Sequence, residues 1–358
     1  MIKLKNNKIN ITKNIFRERG PKITRHKFLR LDKNERVSHL TKNFFDSLIK
    51  KISHEDLTSY PELEQLYNLL SKENKINKEC FVITPGSDGG IRLCFELFVK
   101  PNDKIITLSP TFAMVDIYSK IFKAKQLKVN YDENLILDLD KIFKNLKQKV
   151  SLLILANPNS PTGTIIKDET MRKILYAAKK NKTAVLIDEA YFGFSNYTTT
   201  PLIKKFNNLI IVRTFSKSFG LAGLRAGYVV TNKFLAKQLF SLKPMYEINS
   251  LAVLIIKEFI KKKIDKQYAA QTDIGKKFLI KKFEKIGLDY FDTHANFIHV
   301  DFKNKRNKVI NKLKKNKILF KGGPGVKKLK NYIRITTGPI NEMKKFIKVL
   351  DNIFNQTK

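Results

Sequence analysis

Cysteine is scarce. The 358 residues hold two, Cys80 and Cys94, which excludes a disulfide-stapled scaffold and fits a reducing compartment. No apolar run approaches the roughly 18 to 20 residues that a bilayer span needs. The basic start, MIKLKNNKINITKNIFRERG, has no apolar h-region, so it does not read as a secretory leader, and the cytoplasm is the expected location. Internal repeats and low-complexity linkers are also missing. The five histidines, at 26, 39, 54, 294 and 299, show no metal-ligand spacing, so no metal is expected. HANFIHV reads as a strand whose two histidines make ordinary contacts, and the two cysteines read as buried packing residues.

Acidic residues are few, 32 against 70 lysines and arginines, for a net charge of +38. Such a balance ordinarily raises nucleic-acid binding. Here the lysines run along the whole chain beside Asn, Ile and Phe, as in KKKIDKQ and NKLKKNKILF. That is the pattern of a compositional bias placed on solvated helix faces. No helix, finger or aromatic-sheet motif for nucleic acid accompanies it, so neither nucleic acid nor membrane is an expected partner. Attraction of small anions stays open.

What is present is 42% hydrophobic and 28% charged, a globular composition long enough for one large domain or two ordinary ones. Short β-branched runs stand at 80–84, 104–108, 152–156, 184–188, 209–213 and 227–231. Several are continuously apolar, as strands covered on both faces are. Helical patterns lie between them at 89–99, 111–123, 168–181 and 218–224. The alternation predicts an α/β fold with a mainly parallel sheet. Residues 249–287 read as one long helix, and the last 70 residues return to strand–helix–strand–helix (NFIHVDF, 306–316, YIRIT, 340–355). The expected organisation is a large domain over 46–245 and a smaller α/β domain built from 1–45 and 246–358.

Four segments carry candidate chemistry, all at the ends of expected buried strands, where open α/β sheets place ligands. Strand 184–188 ends in Asp188, followed by Glu189, Ala190 and Tyr191. A carboxylate there needs a partner, whether a helix cap, an ion pair or a ligand. Strand 209–213 runs into TFSKSFGLAGLR, which sets Lys217 between Ser216 and Ser218 with Arg225 eight residues on. This is either a solvated lysine or an amine beside a phosphate. In TPGSDGGIRL (84–93), Ser87, Asp88 and Gly89 open a helix whose free N–H groups either accept a phosphate or are simply capped. ANPNSPTGT (156–164) is a polar turn whose Asn157 and Asn159 either shape the turn or hold a ligand's polar edge.

Taken in order, GSDGGI, PTF, NPNSPTG, DEAY and SKSFGLAGLRAGY resemble the fold-type I, class I/II pyridoxal-phosphate aminotransferases, with the nearest likeness to the histidinol-phosphate aminotransferase branch. The likeness extends from LDKNE (31–35) and SYPE (59–62) to YIRITTG (332–338). It implies pyridoxal 5′-phosphate as cofactor, attached through the amine of Lys217. It further implies Asp188 at the pyridine nitrogen, Tyr191 at the ring's O3′ and Phe112 stacked on the ring. Ser216, Arg225 and the N–H groups near Ser87, Asp88 and Gly89 would hold the phosphate. Tyr60 would reach the phosphate of a neighbouring subunit, which implies a homodimer. Arg334 would grip a substrate carboxylate by a bidentate pair, beside Asn34.

The chain also departs from the family. The asparagine before Pro-Thr-Gly that touches O3′ is replaced by Ser160, with Asn159 beside it. The Asn34–Glu35 pair is followed by Arg36 and Val37 in place of an aromatic and a proline, and Lys321 stands where the branch has a phosphate-binding arginine. Arg36 and Lys321 together read either as a site for a phosphorylated substrate or as surface charges. The resemblance therefore implies an aminotransferase with glutamate as donor and a small phosphorylated keto or aldehyde acceptor. A decarboxylase of a phosphorylated amino acid is the alternative on the same scaffold. A transcriptional regulator is disfavoured because no helix-turn-helix precedes the domain, and a cofactor-free relative because Lys217 and Asp188 are both present.

Overall fold

The computed structural model describes residues 23–323, 325–326 and 329–354. Residues 1–22 and 355–358, assigned above to the smaller domain, lie outside them, as do Pro324, Lys327 and Lys328. The main sheet has seven strands in the spatial order Phe81–Thr84, Gly227–Thr231, Leu209–Thr214, Ala184–Asp188, Val150–Ala156, Lys104–Ser109 and Lys125–Asn130. Gly227–Thr231 is antiparallel to both neighbours, and the remaining pairings are parallel.

Side chains alternate across this sheet, and both faces are covered. Leu153, Leu155, Val185, Ile187 and Ile211 enter one core with Leu66, Ile142, Ile174 and Ile256. Leu152, Ile154, Leu186, Ile210 and Val212 enter the other with Ile91, Phe95, Val115 and Leu239. The continuously apolar runs follow from this, because no position in a doubly covered strand faces water. Lys125–Asn130 is an edge strand, and Val129 is its one buried residue. It has no apolar run, and its sequence does not stand out as a strand.

A second, antiparallel sheet has the order Lys321–Gly322, Ile333–Thr336, Phe297–Asp301 and Asp289–Phe291. Its core gathers Leu279, Phe283, Val309, Leu313, Met343 and Phe346 from the helices Ile264–Lys285, Arg306–Lys315 and Ile340–Phe354. Leu29–Arg30 pairs with Ile318–Leu319 and docks the N-terminal segment on this layer.

Several expectations need correction. The single helix over 249–287 is two, Ser250–Lys261 and Ile264–Lys285, broken at Lys262 and Lys263, where Lys263 turns left-handed at φ 52°. The first of these packs Ala252, Val253 and Ile256 into the main-sheet core, although the boundary at 245/246 puts it with the smaller layer. The segment 218–224 holds only a 3-10 turn at Ala222–Leu224. Cys94 is buried but Cys80 is only half-buried. His299 lies in the strand Phe297–Asp301, whereas His294 belongs to the turn before it. No helix among the described residues is long and apolar enough to cross a membrane.

Candidate active site

The strands Val150–Ala156, Ala184–Asp188 and Leu209–Thr214 run parallel, with Ala156, Asp188 and Val212 level across them. Beyond their C-terminal ends opens a cavity of about 390 Å³, and Asp188, Tyr191 and Lys217 are among its walls. Asp188 is 6% exposed, and among the described residues its Oδ1 accepts from the Ala190 N–H alone, at 3.0 Å. Burial drives its pKa up to about 7, opposed by that N–H and by the Lys217 ammonium. The carboxyl is thus held close to its neutral form at a place built to receive a cation.

Lys217 sits in a turn closed by Gly220 N to Lys217 O (2.9 Å) and Leu221 N to Phe215 O (2.9 Å). Its Nζ donates to Lys33 O at 2.9 Å and stands 5.7 Å from the centre of the Tyr191 ring. The Tyr191 hydroxyl accepts from Asn34 Nδ2 at 2.8 Å. Asn34 is buried, left-handed at φ 54°, and held by its N–H on Thr336 Oγ1 at 3.0 Å. A phenol, an amine and a carboxyl therefore face one space.

A third wall suits an anion. The helix Gly86–Phe98 starts at Gly86, whose φ of +77° only glycine adopts freely. A Cβ there would come 3.1 Å from Arg225 Nη2, and one on Gly227 would come 2.7 Å from Ser87 N. Arg225 Nη1 also reaches Ser216 Oγ at 3.4 Å. Ser87, Ser216 and Arg225 all line the cavity, so a hydroxyl pair, a guanidinium and helix N–H groups converge there. Asp88 lines it as well, with Oδ1 accepting from the Tyr118 hydroxyl at 2.9 Å.

The remaining sequence candidates divide. Phe112, Ser160, Arg334 and Lys321 reach the cavity. Gly89 does not, being turned back on Pro85. Asn159 is fully buried outside the cavity, where Oδ1 accepts from Thr111 (2.8 Å) and Nδ2 donates to Pro110 O (3.0 Å) and Thr162 Oγ1 (2.8 Å). Ser160, and not Asn159, faces the space. Arg36 is elsewhere too: its guanidinium lies 4.1 Å over the Tyr268 ring and Nε donates to Ser38 O at 3.3 Å. It does not line this cavity, so it does not join Lys321 in a site for a phosphorylated substrate. Tyr60 is 71% exposed and away from the cavity of its own chain, stacked at 4.0 Å on Tyr246.

Asp32 and Lys33 are among the wall residues to which the sequence assigns no role. They act through main-chain carbonyls, with Asp32 O accepting Arg334 Nη2 at 2.6 Å and Lys33 O accepting Lys217. Every residue type has that carbonyl, so composition holds no signal for it.

Residues 45–350 match the family model for aminotransferase class I and II. The chain belongs to that family. It is a pyridoxal-phosphate-dependent aminotransferase. The aminotransferase is 34% identical over 311 residues to the histidinol-phosphate aminotransferase of Caldanaerobacter subterraneus subsp. tengcongensis, covering 86% of this chain and 88% of that one. Its fold matches the histidinol-phosphate aminotransferase of Sinorhizobium meliloti, solved with pyridoxal-5′-phosphate, at TM-score 0.80 and 20% identity over 97% of both chains. It also matches the L-threonine-O-3-phosphate decarboxylase of Porphyromonas gingivalis at TM-score 0.70 and 19% identity, over 91% and 99% of the chains.

The cavity of this aminotransferase fits the cofactor on its own chemistry. Asp188 is a buried carboxyl that lacks a cation, as a protonated pyridine nitrogen would supply. The cradle at Gly86 and Arg225 would be narrowed by a single added Cβ.

The raised pKa of Asp188 has a consequence for stability. In the cofactor-free protein the folded state binds one more proton than the unfolded chain between pH 3.8 and about 7. Stability therefore falls as pH rises through that window, by up to about 4 kcal/mol, and levels off above it. Asp188→Asn should lack this slope. Urea unfolding of both cofactor-free proteins at pH 4.5 and 7.5 is the check, and equal slopes would show that the folded carboxyl is not held neutral.

Proposed function

We propose that the aminotransferase takes an amino group from glutamate and passes it to a small phosphorylated keto or aldehyde acceptor, in the manner of the histidinol-phosphate aminotransferases it resembles. The observation that carries this reading is the pairing of two cationic side chains, Arg334 and Lys321, on the cavity that holds Lys217, Asp188 and Tyr191. One suits a carboxylate and the other a phosphate. Lys321 lies directly across the ladder from Arg334, so a substrate with an anion at each end would be met by neighbouring side chains.

When bound, the cofactor supplies an electron sink for the bond that breaks at the substrate Cα. Lys217 would hold it covalently between turnovers. As a free amine, Lys217 is the general base at the Cα proton. Asp188 would ionise beside a protonated pyridine nitrogen and hold that proton in place, because two opposite charges there cost less than one buried alone. Tyr191, oriented by Asn34, would donate toward O3′. Ser216, Arg225 and the helix N–H groups hold the phosphate, and Ser160 stands at the position the family gives to asparagine. Arg334 already carries its guanidinium in the wall, where burial lowers its pKa and excludes the water that would weaken its grip on a carboxylate.

The working unit in this reading is a homodimer. Tyr60 and its stacking partner Tyr246 are exposed, as are Leu57 and Met245 nearby in the chain. A second copy would cover them and bring Tyr60 to its cofactor phosphate.

Three outcomes follow. Borohydride reduction of the holoenzyme and peptide mapping should tag Lys217, and a tag on another lysine overturns its role. An inactive Lys217→Ala chain mixed with an inactive Tyr60→Ala chain should regain part of the activity, because one mixed site then holds Lys217 and Arg225 from one chain and Tyr60 from the other. A fully active monomer in sedimentation contradicts the shared site. Lys321→Ala should raise KM for a phosphorylated substrate about tenfold or more, and change little for its unphosphorylated analogue. Equal kcat/KM on the two in the wild type would return Lys321 to the surface charges. Release of CO2 with no need for a keto acid would identify a decarboxylase instead.

A further inference from the structure

His299 has no part in the chemistry above. It stands inside Phe297–Asp301, fully buried, directly across the antiparallel ladder from Arg334. Facing residues of a ladder put their side chains on the same side of the sheet, and Phe297, two residues away, shares that side. The Phe297 ring meets His299 edge-on at 5.5 Å and lies under the Arg334 guanidinium at 5.3 Å. His299 Nε2 is 2.8 Å from the carbonyl oxygen of Pro161, the residue after the cavity-lining Ser160. A carbonyl only accepts, so Nε2 carries the hydrogen and Nδ1 is left bare as an acceptor. Burial keeps the ring neutral, with the neighbouring Arg334 adding to the effect, and its pKa is pushed down to about 4.

Among the described residues Nδ1 is buried with no hydrogen-bond partner, and so is Arg334 Nε. One is an acceptor and the other a donor, on residues that face each other. An unmet buried polar atom is costly, and both are met at once if they meet each other or share one water. The Nη2 of Arg334 is meanwhile parked on Asp32 O, a contact a substrate carboxylate would have to replace.

We propose that His299 is a positioning residue for Arg334: its bare Nδ1 accepts from Arg334 Nε, directly or through one water, and so aims the two Nη groups at the substrate carboxylate. Its Nε2 ties the same strand to the Ser160–Pro161 turn, so the grip and that wall of the cavity hold a fixed distance. The inference rests on the reading of Arg334 as the carboxylate grip.

The test separates the two nitrogens. Asparagine places an amide oxygen near the position of Nδ1, glutamine places an amide N–H near that of Nε2, and leucine replaces neither. The probe is α-methylglutamate, which carries the carboxylates but has no Cα proton to lose, and its binding to the holoenzymes is measured by calorimetry. His299→Leu and His299→Gln should weaken binding about tenfold, while His299→Asn stays within about twofold of wild type. Melting temperatures should rank differently, with His299→Asn as low as His299→Leu because both lose the tie to Pro161. Binding that follows melting temperature across the three variants overturns the proposal, as does wild-type binding in His299→Gln. Arg334→Ala separates the two readings. If it leaves binding unchanged, the role of Arg334 falls, whereas if it weakens binding and His299→Leu does not, the role of His299 falls.

Discussion

A carboxyl group at the end of a fully buried strand, with one N–H as its only donor, is the constraint on which this active site turns. Burial opposes ionisation of Asp188 in that place and raises its pKa to about 7, and among the described residues no cation is in direct contact with it. Its neighbour Glu189 shows the alternative. Strand geometry sends successive side chains to opposite faces, and Glu189 finds Arg213 at 2.9 and 3.0 Å together with the Thr199 N–H and hydroxyl. Two adjacent acids thus have opposite fates. One is neutralised within the fold, and the other is left to be neutralised by what binds.

The rest of the site is arranged around that unmet charge. Parallel strands in register bring Ala156, Asp188 and Val212 to one level, so the turns that follow all open on the same space. One of those turns carries Lys217, another ends in Tyr191, and the polar turn after Ala156 brings Ser160. The antiparallel strand Gly227–Thr231 lets the chain fold back beside Leu209–Thr214, which sets Gly227 against Ser87 and Arg225 beside Gly86. Close packing of glycine on backbone forms the anion cradle there, and side-chain bulk would close it.

The second layer contributes through a short strap. Arg25 clamps Asp32 with Nη1 at 2.7 Å and Nη2 at 2.9 Å, and reaches Glu35 at 2.6 Å. The clamp holds residues 32–34 over the cavity, where their carbonyls receive Arg334 and Lys217 and Asn34 holds Tyr191. Arg334 and Lys217 are therefore kept on neutral carbonyl acceptors, weaker partners than a charged group would be. The small sheet meets the large one here and again at His299 and Pro161.

The central strands, their order along the chain and the residues at their ends were legible from the sequence alone, because doubly buried strands must be continuously apolar and a charge at their tips needs a cap, an ion pair or a ligand. The motif order from GSDGGI to SKSFGLAGLRAGY was enough to place Lys217, Asp188, Tyr191 and Arg225 together. Other features depend on distance in space and were not legible. Asn159 and Ser160 are adjacent and both polar, and only the turn's hydrogen bonds to Thr111 and Pro110 decide that the serine faces the cavity. Arg36 follows the Asn34–Glu35 pair in sequence, yet the Tyr268 ring, more than 200 residues away, draws its guanidinium elsewhere. The carbonyls of Asp32 and Lys33 and the bare nitrogen of His299 gain their roles from what faces them across layers. Local sequence sets which groups exist and which strands are buried, while long-range packing alone decides which of those groups are left without a partner.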